Sequence, residues 1–291
     1  MNVIKTQGLT KFYGRSRGIE RVDLNIKEGD FYGFIGPNGA GKSTTIRLLL
    51  GLINKDSGKA EIFGKDIEKH KTELLSDIGY LPSETSFYSG MKVKEMLDFA
   101  ARMRNKDCSA DAVELCERLE LDPDKRIEQL SFGNRKKVGI VCALQHSPRL
   151  YILDEPTSGL DPLMQREFYE ILKERNEKGA TVFLSSHILS EVSRYCKNAA
   201  VIRRGTILLS DSIENLAHTG VKRVVLRGIK QELEIENARD IKYENETLNF
   251  LYSGEIKELL LRLNSISFED INITDPELDE IFMHYYVKEE N

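Results

Sequence analysis

The sequence of 291 residues is poor in cysteine and proline, has no surplus of basic residues and contains no long apolar run. Its four cysteines form no C-x-x-C pair and no Cys/His cluster with zinc spacing. This pattern argues against a disulfide framework or a zinc site and favours a reducing compartment. The 42 Lys and Arg against 47 Asp and Glu give a net charge of -5, which argues against a polybasic nucleic-acid-binding protein. Seven prolines and a charged share of 31% argue against disorder.

The apolar residues predict a folded core but no membrane span. They make up 40% of the chain, whose length corresponds to about two domains of roughly 150 residues each. The longest apolar stretches, at 46–53 and 139–144, are shorter than the roughly 20 residues that a transmembrane helix needs. Residues 1–6 lack the succession of basic, apolar and small residues of a secretory signal, so we expect the chain to remain where it is made.

Short apolar runs alternate with longer amphipathic segments from Gly29 to Leu209, which predicts an α/β fold with a parallel sheet buried between helices. The runs predicted as strands are 31–35, 150–153, 181–184 and 199–202. From about residue 84 to 147, apolar residues recur at spacings of three and four, which predicts a helical insertion. Its predicted helices are 93–103, 110–119 and 132–145. We place this first domain at residues 1–215.

A second, smaller domain is predicted over residues 216–291, where the sequence becomes more charged. Its pattern predicts an α+β unit with a helix at 255–263 and strand-like runs at 221–226, 248–252 and 266–268. The chain closes with a predicted helix that opens on the capping pattern Thr274-Asp275-Pro276-Glu277. One face of this helix carries Leu278, Ile281, Phe282 and Tyr285. Because the domain offers no catalytic cluster, we expect it to have an accessory role.

A phosphate-binding loop is predicted directly after the first strand. It has the pattern G-x-x-x-x-G-K-S and consists of Gly36, Pro37, Asn38, Gly39, Ala40, Gly41, Lys42, Ser43 and Thr44. Its glycines let backbone N–H groups surround a phosphate, Lys42 reaches the β- and γ-phosphates, and the Ser43 hydroxyl is a ligand for Mg²⁺. A glycine-rich turn that matches by chance is the alternative, but the flanking strand and helix favour nucleoside triphosphate binding.

Two carboxylates follow the second predicted strand. Ligands of open α/β sheets bind beyond the carboxyl ends of the strands, so Asp154 and Glu155 should face the same crevice as the loop. Asp154 can hold the hydration shell of Mg²⁺ there, and Glu155 can polarise a water for attack on the γ-phosphate. A solvated turn before Pro156 is the alternative, although an unpaired acidic pair at this rim is costly without a cation. His187, after the third predicted strand, either contacts the γ-phosphate or the water, or caps a helix.

The order of these segments resembles that of the ATP-binding subunits of ABC transporters over the whole first domain. Residues 130–134 (Leu-Ser-Phe-Gly-Asn) are similar to the signature loop of that family. Residues 158–161 are similar to its D-loop, and His187 is similar to its switch histidine. In the segment 9–14, Tyr13 corresponds to the aromatic ring that stacks on adenine.

The resemblance implies a P-loop NTPase core that binds ATP with Mg²⁺ between two copies of the chain paired head to tail. Each ATP then lies between the phosphate loop of one copy and the signature loop of the other. The residues implied to act in hydrolysis are Lys42, Glu155 and His187. Those implied to reach the nucleotide from the second copy are Ser131, Gly133, Asn134 and Asp161. The signature loop begins a predicted helix, whose positive dipole end suits a γ-phosphate.

Two segments depart from the family pattern. Ser83 stands where the family usually has a Gln that touches Mg²⁺ and senses the membrane partner, and a serine is too short to do both. Glu84 either replaces this Gln or is a solvated acid at a helix start. Phe132 and Asn134 stand where Gly and Gln are usual, so we expect weaker or differently shaped contacts with the γ-phosphate.

Transport requires a separate membrane subunit, since the chain has one cassette and no predicted membrane span. The segment 275–282 is similar to the tails of ATPase subunits from bacterial exporters built of two ATPase and two membrane chains. Such exporters move drugs, lipid-like compounds or amphipathic peptides, and their ATPase subunits are peripheral at the cytoplasmic face of the membrane. The helical insertion and the Ser83 loop are expected to receive a helix of the membrane chain. Four apolar residues either contact that helix or belong to the core of the insertion, namely Phe87, Tyr88, Met91 and Val93.

Two other functions are compatible with a phosphate loop. A soluble ABC ATPase that acts on DNA or ribosomes usually has a long coiled-coil insert or two cassettes and a basic surface. The sequence has neither the insert nor a second cassette, and its balance of charge is acidic. A GTPase is disfavoured because Asn54-Lys55-Asp56, which resembles a guanine-reading motif, follows the phosphate loop too closely. Stacking on Tyr13 does not distinguish the two purines, so the preference for ATP rests on the resemblance.

Overall fold

The computed structural model describes residues 1–88, 90–217, 220–229, 235–264 and 266–276. The chain divides into two compact units, Met1–Asp211 and Ser212–Asn291. None of the helices within the described ranges combines the length and the apolar character that crossing a bilayer requires. The apolar residues of the predicted closing helix, Leu278, Ile281, Phe282 and Tyr285, lie outside the described residues.

The first unit contains the elements that carry the phosphate loop and the acidic strand end. Its strands are β1 (Asn2–Tyr13), β2 (Ser16–Val22), β3 (Asn25–Lys27), β4 (Phe31–Ile35), β5 (Ser57–Ile62), β6 (Lys65–Asp66), β7 (Ile78–Leu81), β8 (Leu150–Asp154), β9 (Thr181–Ser186), β10 (Asn198–Arg203) and β11 (Thr206–Ser212). Its helices are α1 (Lys42–Leu49), α2 (Lys71–Ser76), α3 (Val93–Met103), α4 (Ser109–Arg118), α5 (Phe132–Leu144), α6 (Pro162–Glu177) and α7 (Leu189–Tyr195).

A six-stranded sheet forms the centre of this unit, in the order β11-β10-β4-β9-β8-β7. The neighbours from β10 to β7 pair in parallel, which confirms the predicted parallel sheet and its four predicted strands. Every residue of β4, β8 and β9 is buried, as expected for strands covered on both faces. Because parallel strands end at the same edge of a sheet, the loops that follow β4, β8 and β9 lie side by side.

The sequence pattern did not predict the second sheet of this unit. Strand β1 pairs antiparallel with β2, β3 and β5, and β5 pairs antiparallel with β6. Ile4, Leu9 and Ile19 of this sheet share one apolar core with Phe34 and Ile46. Its strands mix these buried residues with exposed Lys, Arg and Glu, so no continuous apolar run marks them.

The helical insertion places α3, α4 and α5 where the sequence predicts helices. Helix α5 packs on β7, and two glycines make room for this contact. A Cβ atom on Gly79 would lie 2.3 Å from the backbone oxygen of Ala143. A Cβ atom on Gly139 would lie 2.6 Å from Cγ2 of Thr85. The approach of helix and strand therefore depends on the missing side chains.

The second unit, taken by itself, is an antiparallel sheet with a helix packed on its core. Its strands are β12 (Lys222–Arg227), β13 (Ala238–Glu244), β14 (Thr247–Tyr252) and β15 (Asp270–Thr274), in the order β13-β14-β12-β15. Its helices are α8 (Ile213–Ala217) and α9 (Ile256–Leu263). Leu259 and Leu263 of α9 are buried in a core with Val224, Leu226 and Phe250 of the sheet.

The last strand of this unit lies further along the chain than the sequence predicts. The run at 266–268 is not a strand, although Ile266 and Phe268 pack against the core. The strand begins at Asp270, because Ile271 and Ile273 alternate with exposed residues and meet apolar partners in β12. A short apolar run alone does not distinguish a strand from a packed turn.

Replacing Gly79 with Ala should destabilise the first unit, because the new methyl group would meet a backbone oxygen that cannot move aside. We expect a loss of about 1–3 kcal/mol, seen as a lower melting temperature by circular dichroism. Gly139→Ala is the comparison variant: its methyl group meets the ends of two side chains, and alanine favours a helix over glycine by about 1 kcal/mol. A Gly79→Ala variant that melts like the wild type would contradict the close approach.

Stability should also fall in mild acid because of His146, which is buried at the end of α5 beside the backbone oxygen of Ile78. Burial lowers the pKa of His146 to about 3. Below its ordinary value of about 6.5 the unfolded chain binds a proton that the folded chain does not, which at pH 5 removes about 2 kcal/mol of stability. We expect His146→Gln to lose less of its melting temperature between pH 7 and pH 5 than the wild type. An equal loss would show that other groups dominate.

Candidate nucleotide-binding site

The loop between β4 and α1 has the shape of an open phosphate cradle. A Cβ atom on Gly36 would lie 2.4 Å from the backbone oxygen of Ile202. Gly41 has a φ angle of +112°, and its Cβ atom would lie 2.7 Å from Cγ2 of Ile19, so both positions require glycine. Residues 37–39 between them are exposed. Gly41 provides no side-chain cap for α1, so the first N–H groups of that helix can donate hydrogen bonds to a phosphate at its positive end.

Lys42 is turned into its own loop. Its ammonium donates to the backbone oxygen of Gly36 at 2.6 Å and to that of Pro37 at 3.2 Å. It also lies 3.0 Å from Oε1 of Glu155. The side chain is only 5% exposed, so these contacts replace its hydration. Lys42 therefore joins the phosphate loop to the end of β8.

The two carboxylates at the end of β8 have different partners. Asp154 is 2% exposed and accepts a hydrogen bond of 2.6 Å from the hydroxyl of Ser185. The carboxylate of Glu155 lies between Lys42 and His187, whose Nδ1 is 2.7 Å from Oε2. Groups of the chain itself thus supply partners for both carboxylates.

The backbone of Glu155 is held in an unfavourable conformation. Its φ angle is +48°, in the left-handed region, which costs a residue with a side chain about 1–3 kcal/mol. Its N–H donates to the backbone oxygen and to the hydroxyl of Ser185, both at 3.2 Å. Neighbouring contacts thus impose the turn that directs this carboxylate toward the phosphate loop.

The loop after β9 places His187 opposite Glu155. The hydroxyl of Ser186 accepts from the N–H of Ile188 at 2.9 Å and donates to Oε2 of Glu191 at 3.0 Å, which fixes the turn. The imidazole is about half exposed, and no side chain caps the helix α7 that follows. Of the two roles considered for His187, the helix cap is therefore not observed.

Ser43 and Asp154 are the oxygen donors that fit a magnesium ion. Ser43 is half-buried in the first turn of α1, and its hydroxyl has no hydrogen-bond partner among the described residues. Asp154 uses Oδ1 for Ser185. Within the same described ranges, no group of three or more His, Cys, Asp or Glu is arranged to hold a metal. Magnesium at nucleotide sites needs only one or two protein oxygens, because phosphate oxygens and waters supply the others.

The first two strands of the antiparallel sheet place Tyr13 near the phosphate loop. It ends β1, its ring is 47% exposed, and the ammonium of Lys11 is 5.9 Å from the ring centroid. A Cβ atom on Gly18 would lie 2.9 Å from this ring, and the backbone oxygen of Gly18 faces Gly41 of the loop. The ring thus packs against Gly18 and keeps about half of its surface exposed.

The predicted signature loop and D-loop contact each other within the chain. Ser131 caps α5 by accepting a 3.3 Å hydrogen bond from the N–H of Asn134. A Cβ atom on Gly133 would lie 2.6 Å from the backbone oxygen of Gly159, and one on Gly159 would lie 2.3 Å from the ring of Phe132. The ring of Phe132 is still 54% exposed. Phe132 therefore covers the D-loop and also faces solvent.

Asp161 has a structural task in the D-loop. Its carboxylate accepts hydrogen bonds from the N–H groups of Leu163 at 3.1 Å and Met164 at 3.0 Å, and so caps α6. Asp-Pro at a helix start is a recognised N-terminal pattern that the sequence analysis did not weigh here. A contact between Asp161 and nucleotide stays a prediction from the resemblance.

The four apolar residues of the insertion do not share one environment. Val93 is fully buried and belongs to the core. Tyr88 is 66% exposed, and its ring meets the edge of Phe99 with centroids 6.1 Å apart. Phe87 and Met91 are half-buried. Tyr88 and Phe99 thus form an exposed aromatic pair in this part of the insertion.

Sequence reasoning missed one residue of the site, Ser185, and one buried cation in α5, Lys136. Ser185 holds Asp154 and Glu155, as described above, but lay hidden in a uniformly buried strand. Lys136 in α5 is 1% exposed and donates to the backbone oxygens of Pro82 and Ser83. The spacing of the apolar residues in α5, continued by one turn toward its N-terminus, would have placed this lysine on the buried face of the helix.

Comparison with known proteins identifies the family. A family model described as ABC transporter matches residues 19–158. The bacitracin transport ATP-binding protein BcrA of Bacillus licheniformis is 34% identical, over 97% of this chain and 96% of its own. A solved ATP-binding subunit of an ABC transporter is 30% identical with a TM-score of 0.69, and the match covers 74% of this chain and 91% of that one. A dimeric ATP-binding cassette bound to ADP and Pi is 26% identical with a TM-score of 0.64, over 72% of this chain and 98% of its own.

These matches confirm the resemblance drawn from the motifs and the α/β P-loop NTPase fold. The family model spans the phosphate loop and the acidic end of β8, where Lys42 and Glu155 meet. The chain belongs to the ATP-binding subunits of ABC transporters, which are ATPases.

Proposed function

We propose that this chain binds and hydrolyses ATP with Mg²⁺ between two copies of itself and thereby drives export through a separate membrane subunit. The observation that carries the proposal is the position of Glu155, whose carboxylate is held between Lys42 of the phosphate loop and His187. The carboxylate of Glu155 thus links the ammonium of Lys42, which meets the phosphates in this proposal, to the imidazole of His187, a group able to exchange a proton. A carboxylate beside the phosphate loop can act as the base that orients water for in-line attack on the γ-phosphate.

The phosphate loop binds the triphosphate tail of ATP. Lys42 exchanges its present contacts with Gly36, Pro37 and Glu155 for phosphate oxygens. Each charge-assisted hydrogen bond contributes about 1.5–3 kcal/mol. The exposed part of the Tyr13 ring stacks on the base. The residues proposed for this contact are Tyr13, Gly36, Pro37, Asn38, Gly39, Ala40, Gly41, Lys42, Ser43 and Thr44.

Ser43 and Asp154 hold the magnesium ion in this proposal. When bound, the ion neutralises charge on the β- and γ-phosphates. Ser185 fixes the direction of Asp154 through Oδ1, so the carboxylate does not have to reorganise when the nucleotide arrives. The hydroxyl of Ser43 lies on the first turn of α1, directly after the lysine that meets the same phosphates.

Glu155 acts as the general base and His187 as its partner. Once Lys42 turns to phosphate, the imidazole of His187 remains the side-chain partner of the Glu155 carboxylate among the contacts described. It can then accept a proton from the attacking water. His187 holds the carboxylate in place and, being half exposed, can also reach the γ-phosphate.

The second copy completes each site with its signature loop. Ser131 and Gly133 lie at the start of α5, whose positive end suits the γ-phosphate. The residues proposed to reach the nucleotide across the dimer are Ser131, Gly133, Asn134 and Asp161. A related cassette bound to ADP and Pi is dimeric, which supports this arrangement.

The membrane partner is proposed to be an integral membrane subunit, in an assembly of two ATPase and two membrane chains. The chain would then lie at the cytoplasmic face of the membrane, with Tyr88 and Phe99 facing the partner. A relative named for bacitracin transport supports export of a drug, a lipid-like compound or an amphipathic peptide. The tail segment 275–282, on which the exporter resemblance rests, lies for the most part outside the described residues.

Lys42→Ala should weaken binding of the triphosphate itself. The variant loses the cation that meets the phosphates, so we expect the Kd for ATP with Mg²⁺ to rise by about 10- to 100-fold, as the loss of one charge-assisted bond implies. Isothermal titration calorimetry measures this directly. Lys173→Ala, which removes an exposed lysine from α6, is the control and should bind like the wild type. Equal affinities of Lys42→Ala and the wild type would remove Lys42 from the site.

Glu155→Gln should abolish hydrolysis while ATP still binds. Removing the base is expected to lower kcat by about 10²- to 10⁴-fold. ATP affinity should be equal or higher, because Lys42 no longer has a carboxylate to pair with. The variant should then accumulate as an ATP-bound dimer in analytical ultracentrifugation. Glu177→Gln, an exposed substitution in α6, serves as the control. Unchanged turnover in Glu155→Gln would exclude Glu155 as the base.

A further inference from the structure

Lys136 is a buried cation to which the proposed function gives no role. It lies in the second turn of α5 and is 1% exposed. Its ammonium donates to the backbone oxygens of Pro82 at 3.0 Å and Ser83 at 2.9 Å. Burial lowers the pKa of Lys136 to about 8, and the charges of Asp154 and Glu155 oppose that shift. The acidic end of β8 is therefore near enough to act on this ammonium.

A lysine at this position requires compensating contacts. Removing an ammonium from water is unfavourable unless other groups replace its hydration. A methionine would fill much of the same space without that cost. The two charge-assisted hydrogen bonds to backbone oxygens offset it. The loop thus holds the ammonium in place, and the ammonium holds the loop.

Lys136 is the polar end of a row of α5 residues that faces β7 and the loop after it. Ala143 approaches Gly79 in β7, and Gly139 approaches Thr85 in the loop. Lys136, Gly139 and Ala143 are three and four residues apart, so they lie on one face of the helix. The small residues bring helix and strand together, and Lys136 fastens the loop one turn away from the signature loop.

The register of the sheet places this loop beside the acidic pair. Leu81 of β7 pairs in parallel with Leu153 of β8. Pro82 therefore leaves its strand at the level of Asp154, the last residue of β8. The two backbone oxygens that bind Lys136 thus lie in the loop directly after β7. This strand is the neighbour of β8, which Glu155 follows.

We propose that Lys136 is a positioning residue, which fixes the loop at 82–83 to the signature helix α5 and so sets the signature loop relative to Glu155. This inference rests on the proposed dimer. There, the loop at 82–83 belongs to the ATP site of its own copy, and the signature loop belongs to the ATP site of the other copy. Lys136 makes no contact with the phosphate loop among the described hydrogen bonds and ion pairs. Its loss should therefore slow turnover without weakening the binding of ATP.

The test compares Lys136→Met, which removes charge and donors, with Lys136→Gln, whose amide can still donate to backbone oxygens. Both are made in the full chain. We expect Lys136→Met to lower kcat at least tenfold with the KM for ATP within twofold of the wild type. Lys136→Gln should restore kcat to within threefold. Amide hydrogen exchange at residues 83–86 should be faster in Lys136→Met and normal in Lys136→Gln.

Lys173→Met is the control for the loss of one positive charge and should behave like the wild type. A normal kcat in Lys136→Met overturns the proposal, as does a rise in KM that accounts for the whole effect. Equal losses in Met and Gln variants would make the charge, and not the hydrogen bonds, the essential property, which also overturns it. If Lys136→Met does not fold, the kcat of Lys136→Gln decides alone. The Glu155→Gln result tests the proposed function separately, whatever the Lys136 variants show.

Discussion

The ion pair between Lys42 and Glu155 is the contact on which the arrangement of the site depends. It joins the phosphate loop, which follows β4, to the end of β8, two strands away in the same sheet. Both side chains are largely buried, so water cannot readily replace either charge as the partner of the other. Removing one partner of a buried pair typically costs about 3–5 kcal/mol, because the other charge is left without compensation. The pair therefore fixes the loop and the strand end relative to each other.

The parallel register supplies the remaining contacts at this edge. Asp154 pairs directly with Ser185 in the neighbouring strand, which brings hydroxyl and carboxylate together. Ser186 pairs with Ile35, the residue before the phosphate loop, so the turn that carries His187 begins beside that loop. The three strand ends thus exchange polar contacts as a direct consequence of their pairing. Catalytic groups from segments far apart in sequence need no further scaffold to meet.

Residue patterns predicted the parts of this molecule that depend on local sequence. Uniformly apolar runs mark four of the six strands of the central sheet, and the glycine-rich loop has a fixed spacing, so these parts were found from the residues alone. The antiparallel sheet was missed because its strands are half exposed and interrupted by charge. The start of β15 was misplaced because an apolar run packs as well in a turn as in a strand.

Contacts between distant side chains could not be predicted in this way. Spacing indicates that Lys42, Glu155 and His187 share an edge of the sheet, but it does not show that the lysine turns back onto its own loop. Likewise, nothing in the pattern shows that Lys136 reaches backbone oxygens of a different segment, or that Phe132 covers Gly159. Each of these contacts depends on how closely two elements approach each other. Glycines set that distance because they have no side chain.

The inward turn of Lys42 has a consequence for the choice of ligand. Any anion that approaches the loop competes with an anion already in place, the carboxylate of Glu155. A singly charged solute offers the ammonium nothing better and must also give up its freedom in solution. A polyphosphate brings several charges and engages the helix amides as well, so it gains more from the exchange than a singly charged anion does. The carboxylate of Glu155 thus makes the phosphate loop select anions by their charge, independently of any contact with a nucleotide base.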